Sequence, residues 1–292
     1  MRKHVFPILL MAAVSFTACN SNKESNNQKT DKEMTNKEKA VAVLKSIETG
    51  DTNAIAFINA ENYTQHNLTV EDGLDGFGKA LAALSSYPEK ARVNTVRAFE
   101  DGDYVFMQTD YNFFGNKIGF DVFRFEDGKI VEHWDNLMET PSTPNPSNRT
   151  CIDGTTDIKD LDKTEANKEL VKSFVNEVLM NKAPEKTPTY FNGDAYIQHN
   201  SAIADGLSGL GKALEEMAKN NIAMIYDTLH IVLGEGNFVL AISEGTFAGK
   251  PTSYYDLFRV EDGKIAEHWD VMETIADKSE WKHNNGKYSF KK

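Results

Sequence analysis

A fifteen-residue stretch near the middle of the chain returns almost unchanged near its end. Asp121-Val-Phe-Arg-Phe-Glu-Asp-Gly-Lys-Ile-Val-Glu-His-Trp-Asp135 reappears as Asp256-Leu-Phe-Arg-Val-Glu-Asp-Gly-Lys-Ile-Ala-Glu-His-Trp-Asp270, with three of the fifteen positions changed, each from one apolar residue to another. Tyr63-Thr-Gln-His-Asn67 likewise returns as Tyr196-Ile-Gln-His-Asn200, and Asp72-Gly-Leu-Asp-Gly returns as Asp205-Gly-Leu-Ser-Gly. The offset between matching segments stays between 133 and 135 residues. Solenoid units repeat every ~20–50 residues, so this spacing describes two whole domains. What both copies keep can then be separated from what they let drift.

The ends bound the domains. Arg2, Lys3 and His4 precede an apolar run from Val5 to Phe16, followed by Thr17, Ala18 and Cys19. The run is shorter than the ~20 residues that span a bilayer. A basic start, a short apolar core and small residues before a cut describe a secretory signal over residues 1–18. Cys19 makes the segment similar to a bacterial lipoprotein signal, with lipid on Cys19 and residence in the cell envelope; an ordinary signal with an incidental cysteine is the alternative. Residues 19–35 are polar and read as a disordered tether. The domains then span 36–145 and 164–292, with a polar, proline-bearing linker over 146–163. With Cys19 acylated, only Cys151 remains. No side-chain disulfide is then available within the chain, and the cores must hold the fold. The net charge of −12, with no cluster of Lys and Arg, argues against nucleic acid as a partner.

Each copy opens with a helix. Ala40, Val43, Leu44 and Ile47 form an apolar stripe after a Thr35-x-x-Glu38 capping box, and Leu170, Phe174 and Val178 do so in copy two. A short helix leads to Ile58 and Phe191, and another carries Leu74, Phe77, Leu81 and Leu84, matched by Leu207, Leu210, Leu214 and Met217. Four strands follow: Arg92–Glu100, Tyr104–Asn112, Lys117–Phe125 and Lys129–Glu139. Helices first and antiparallel strands after predict an α+β fold.

The last hairpin decides which side chains meet. A two-residue Asp-Gly loop places Asp121 opposite Trp134 and sends His133 and Asp135 to the other face. A three-residue Glu-Asp-Gly loop with Gly128 left-handed in a bulge shifts the pairing by one. That register is favoured. It sets Asp121 opposite His133, with Asp135, Phe123 and Val131 on the same face and Phe120, Val122, Arg124, Ile130, Glu132 and Trp134 on the other. Asp121, His133 and Asp135 then form one candidate acid/base set, and Asp256, His268 and Asp270 a second. Arg124 and Glu132, with Arg259 and Glu267, read as surface cross-strand pairs. Trp134 and Trp269 read as core or domain-interface aromatics. The Tyr-x-Gln-His-Asn segment offers Tyr63, His66 and Asn67, with Tyr196, His199 and Asn200, as ligand-binding candidates. Extended, it shows Tyr63, Gln65 and Asn67 on one side and His66 on the other. Its alternative role is to tie down a loop. Asp110 and Glu244 occupy matching strand positions and are weaker candidates. A metal set of His66, Asp121 and His133 lacks a recognised ligand spacing, so no metal is assigned.

This order of segments resembles the SnoaL-like family of the nuclear transport factor 2 (NTF2)-like superfamily, over roughly 36–145 and 164–290. The resemblance implies two tandem cone domains, each a strongly curved sheet around a pocket closed by helices. It also implies the chemistry of the family's polyketide cyclases, which close a ring without metal or organic cofactor. Their acid/base carboxylate falls on Asp135 and Asp270, and a pocket residue of the preceding strand falls near Asp121 and Asp256. His133 and His268, or else Asp121 and Asp256, would be its partners; His66, Asn67, His199 and Asn200 would bind the substrate oxygen. The expected function is a pocket for a small carbonyl compound with cofactor-free acid/base chemistry; the alternative is a ligand-binding or dimerisation scaffold. NTF2-like domains commonly pair through their sheets, so a pseudo-dimer within the chain or a homodimer is expected, with the membrane met through the lipid alone.

Overall fold

The computed structural model describes Met1 and residues 33–290. The signal expected over 1–18 and the lipidation expected at Cys19 fall on residues outside that set. Among the described residues no helix is long and apolar enough to cross a membrane.

The fold is α+β and is built twice. In copy one, α1 (Asn36–Thr49), α2 (Thr52–Ile55) and α3 (Gly73–Ser85) accompany β1 (Thr64–Gln65), β2 (Arg92–Asp101), β3 (Tyr104–Asn112), β4 (Asn116–Glu126) and β5 (Lys129–Glu139). Copy two has α4 (Thr164–Phe174), extended by a π-helical turn at Val175–Leu179, and a 3-10 segment at Pro184–Thr189. It continues with β6 (Ile197–Gln198), α5 (Gly206–Lys219), β7 (Met224–Glu235), β8 (Phe238–Phe247), β9 (Lys250–Glu261) and β10 (Lys264–Thr274). The sheets have orders β1-β5-β4-β3-β2 and β6-β10-β9-β8-β7. The short strands β1 and β6 pair parallel to the last strand, and all other pairs are antiparallel.

Helix α1 begins at the expected capping box. Thr35 accepts from the Glu38 backbone N–H, and Glu38 accepts from the Thr35 N–H at 2.7 Å. Its buried stripe, Ala40, Val43 and Leu44, packs with Phe77, Val105, Met107, Phe123 and Phe125. Val171, Phe174, Val239, Ala241 and Phe258 form the same inner core in copy two. The opposite faces of both sheets meet in one further cluster, where Phe99, Phe106, Val122 and Trp134 pack with Phe238, Leu240, Leu257 and Trp269. Each central strand is therefore buried on both faces. The near-continuous apolar runs of β4 and β9 follow from this, whereas a strand with one wet face would alternate.

The hairpin turn differs from expectation. Asp127 (φ 50°) and Gly128 (φ 72°) are both left-handed, the geometry of a two-residue type I′ turn, and Glu126 pairs with Lys129. A bulge at Val131 then shifts the register, because Phe125 pairs with Ile130 but Arg124 with Glu132. Asp121 consequently faces Asp135, and His133 faces Phe123. The two acids and the imidazole still share the inner face, through a bulge rather than a longer loop. Ile130, expected on the outer face, joins the inner core. Copy two repeats the turn at Asp262 and Gly263 and the bulge at Ala266, with Asp256 facing Asp270.

Each copy lends its trailing segment to the other. After β5, the chain crosses copy two: Asn145 donates to the Gln198 and Ile203 carbonyls at 2.7 and 2.9 Å. After β10, the C-terminal segment crosses copy one, where Asn285 donates to the Gln65 carbonyl at 3.0 Å and Lys282 N–H to that of Leu68 at 2.9 Å. Part of the stretch expected as linker is packed too: Arg149 donates to the Asp205 carboxylate at 2.8 and 2.9 Å, and Gln108 donates to the Cys151 carbonyl at 2.9 Å. Buried Arg97 lies 4.3 Å from the Trp269 ring centre and donates to the carbonyls of Ile152, Asp153 and Thr155. Gly154 allows this strap to pass: its φ is +92°, and a Cβ there would come within 2.3 Å of Glu267 Oε1 and 2.8 Å of Trp269.

Candidate active site

The Tyr-x-Gln-His-Asn segment lies beside β5, with Gln65 in register with His133. Strand alternation turns Tyr63, Gln65 and Asn67 towards the helices and His66 away. Asp72 does not cap its own helix; its carboxylate accepts from the Gln65 backbone N–H at 2.9 Å, as Asp205 does from Gln198 at 3.0 Å. Gln65 Oε1 in turn accepts from the N–H groups of His66 and Asn67, and Gln198 Oε1 from those of His199 and Asn200. These bonds hold the asparagine over the last strand. Asn67 donates to Asp135 at 2.8 Å and Asn200 to Asp270 at 2.7 Å.

The structure brings together Asp121, His133, Asp135 and Asn67 in copy one, and Asp256, His268, Asp270 and Asn200 in copy two. His133 Nε2 lies 3.2 Å from Asp121, and His268 Nε2 lies 3.0 Å from Asp256. A phenol joins each set. Tyr111 donates to Asp121 at 2.6 Å, and Tyr226 lies 3.2 and 3.3 Å from the two oxygens of Asp256. Neither tyrosine is visible from the repeat, because they come from different strands. Tyr111 on β3 pairs across from Val93 on β2, whereas in copy two the tyrosine is on the first strand and glycine, Gly245, faces it. A Cβ at Gly245 would meet the Ile225 carbonyl at 1.9 Å, so the larger side chain is carried by the neighbouring strand instead. The hydroxyl reaches its carboxylate in both copies, but no position-by-position comparison reveals it.

His66 and His199 do not join the pocket, contrary to expectation. They occupy the outer faces, stacked on Trp134 and Trp269 at 4.5 and 4.6 Å between ring centres. His66 Nδ1 meets the Gly286 carbonyl and His199 Nδ1 that of Thr150, each at 2.8 Å. The alternation that directs Gln65 and Asn67 inwards forces this placement. The Arg–Glu pairs are also not on the surface. Arg124, Glu132 and Glu267 are buried, and Glu267 bridges Arg259 at 2.7 Å and His199 at 2.8 Å. Burial alone would raise the Glu267 pKa, but hydrogen bonds from His199 and Arg259 outweigh it and hold the carboxyl below its ordinary range. Asp110 and Glu244 stay outside the site, paired with Arg92 at 2.6 Å and His230 at 3.4 Å. The set of His66, Asp121 and His133 does not converge; the donor atoms of Asp121, His133 and Asp135 do, all within 4.8 Å of one another. Asn67, Tyr111 and His133 already engage three of the four carboxylate oxygens there.

In copy two the set lines a cavity of about 400 Å³, whose wall includes Tyr196, Gln198 and Asn200, the apolar side chains of Phe174, Leu210, Met217, Phe258 and Met272, and Met138 from copy one. Burial raises the pKa of Asp270 despite the nearby His268. Burial also raises that of Asp121, against the hydrogen bond from His133. For His268, burial disfavours charge, but the bond to Asp256 outweighs it and the pKa rises. The bonding pattern agrees: Gln198 Oε1, fixed as an acceptor by two backbone N–H groups, lies 3.2 Å from His268 Nδ1, while Asp256 lies at Nε2. Both ring nitrogens face acceptors, so the imidazolium satisfies both.

Residues 40–133 match the sequence profile of the SnoaL-like domain. None of the curated proteins matches the chain. Among solved structures, TsrD from Streptomyces laurentii is 20% identical, covering 34% of this chain and 84% of its own, with a TM-score of 0.31. An NTF2-like protein of unknown function from Cytophaga hutchinsonii is 15% identical, covering 37% and 94%, with a TM-score of 0.33. IdmH from Streptomyces antibioticus, described as a candidate polyketide cyclase, is 15% identical, covering 36% and 92%, with a TM-score of 0.32. The profile match lies within the first copy, and the second copy repeats that copy's order of elements, its Gln-His-Asn segment and its closing hairpin.

Proposed function

We propose that the chain is a small-molecule pocket protein that performs cofactor-free acid/base chemistry on a carbonyl compound. The observation that carries this reading is Asp270. It lines a largely apolar cavity, its pKa is raised by burial, and one of its oxygens is held by Asn200. A carboxylate that has lost hydration is a stronger base near neutral pH. It would take a proton from the carbon beside the carbonyl. The imidazolium of His268, held by Asp256 and Gln198, would offer positive charge to the oxygen that gains electron density. Tyr226 keeps Asp256 oriented. Asp121, His133 and Asp135 repeat the arrangement in copy one.

The test is exchange of deuterium from solvent into the enolisable position of small ketones that raise the melting temperature, since a bound ligand stabilises the folded form. Asp270→Asn together with Asp135→Asn should lower exchange by at least about 100-fold, the size of a general-base contribution. Exchange that survives the double change would sink the acid/base reading. As part of the same proposal, the pairing of sheets is internal to the chain and Cys19 carries a lipid. Incorporation of labelled palmitate that is lost in Cys19→Ala checks the anchor.

A further inference from the structure

We propose that the two copies have divided their roles: copy two takes the ligand, while copy one is shut by an aromatic plug and supplies part of copy two's wall. The inference deepens the proposed function and rests on it for the chemistry of the site. It stands on how the two mouths are built. In copy two, Asn220 at the end of α5 and Phe247 at the end of β8 border the cavity. The repeat places Tyr87 and Phe113 at those positions in copy one.

The next turn residue is Ala248 in copy two and Phe114 in copy one, both left-handed at φ 50° and 51°. A left-handed conformation is uncommon for any residue with a side chain and an outlier for a bulky one. Phe114 nevertheless occupies it and packs edge-on against Tyr87 at 4.7 Å. Phe113 touches Phe114 at 6.4 Å and Tyr111 at 4.8 Å. Aromatic contacts thus run from the mouth of copy one to the phenol that binds Asp121. The same ring path is absent at the mouth of copy two, where asparagine and alanine stand in place of Tyr87 and Phe114.

The site residues differ in the matching direction. Asn67, His133 and Asp135 are all buried, whereas Asn200, His268 and Asp270 are partly exposed. Copy one also closes the cavity of its neighbour through Met138, on the strand that carries Asp135. The charges select the ligand. Asp256 is matched by His268, and Asp270 adds a further acid in apolar surroundings, so the cavity suits a neutral, mainly apolar molecule with one polar end and opposes an anion.

Titration of the full chain with a neutral fluorescent ketone, propionyl-dimethylaminonaphthalene, tests this. One molecule should bind per chain, and the anionic anilinonaphthalene sulfonate should not compete. Ala213→Trp or Met217→Trp, which fill the copy-two cavity, should weaken binding by at least about tenfold, with the circular-dichroism spectrum retained to show folding. Tyr87→Ala with Phe114→Ala should raise the stoichiometry to two. A wild-type stoichiometry of two or zero, binding that survives both filling variants in folded protein, or competition by the sulfonate would each overturn the division. The stoichiometry is read in the wild-type chain and exchange in Asp270→Asn, so failure of the division and failure of the chemistry are distinguished.

Discussion

At the scale of single residues, the site trades stability for a usable carboxyl. Asp270 has a raised pKa in the fold, so the folded protein holds its proton more tightly than the unfolded chain does. Its ionisation therefore costs stability as pH rises from the ordinary carboxylate range through the raised value. Asp270→Asn should stabilise the protein at neutral pH, because it removes the cost of ionising a buried carboxyl, and that gain should disappear as pH falls into the ordinary carboxylate range. Melting temperatures of both proteins across pH check this. Turnover should rise with pH as Asp270 ionises and fall again as His268 loses its proton, a bell with both limbs above the ordinary values of those groups. Glu267 works in the opposite sense. Its lowered pKa contributes stability above the ordinary glutamate range, which is lost as pH falls through the folded value. Glu267→Gln should cost stability at neutral pH and lose that penalty in acid.

At the scale of elements, the trailing segments matter most. Phe290 stacks on Trp134 at 4.5 Å, and Lys287 reaches the Asp135 carbonyl at 3.1 Å and Glu273 at 2.6 Å. The C-terminal strap of copy two thus braces the strand that carries copy one's acid. Removal of residues 282–290 should speed amide exchange in β1 and β5 of copy one while β6 of copy two, braced by the other strap, is spared. Equal loss in both would show that the straps are not element-specific. The hairpins were legible as elements because their apolar runs and Asp-Gly turns are local signals. The register was not, since a bulge at Val131 is invisible in a run of residues that could pair either way. The sequence assigns the C-terminal segment to copy two and gives no sign that either strap crosses to the other copy, because their partners there, Gln65 and Gln198, lie more than fifty residues away along the chain.

At the scale of the whole molecule, one hydrophobic cluster contains residues of both sheets. Two domains joined only by a linker would unfold separately. Here the outer face of each sheet is the other's core, so unfolding should be a single cooperative transition by calorimetry, with calorimetric and van't Hoff enthalpies equal. Trp269→Ala should cost about 3–5 kcal/mol and lower the stability of both copies together, read from probes placed in each. Two resolved transitions would show that the interface contributes little.

The sequence by itself determined the duplication, the α+β class, the order of elements, and the Asp, His and Asn residues that both copies keep. These are encoded in local patterns of polarity and in direct repetition. Only the tertiary structure decided which of them meet. The bulge set Asp121 against Asp135, strand alternation turned His66 and His199 outwards, and a tyrosine arrived from a different strand in each copy. Packing between the copies also turned apparent surface pairs and linker into interior. Those outcomes depend on side chains from distant parts of the chain competing for the same space, and no local pattern carries that information.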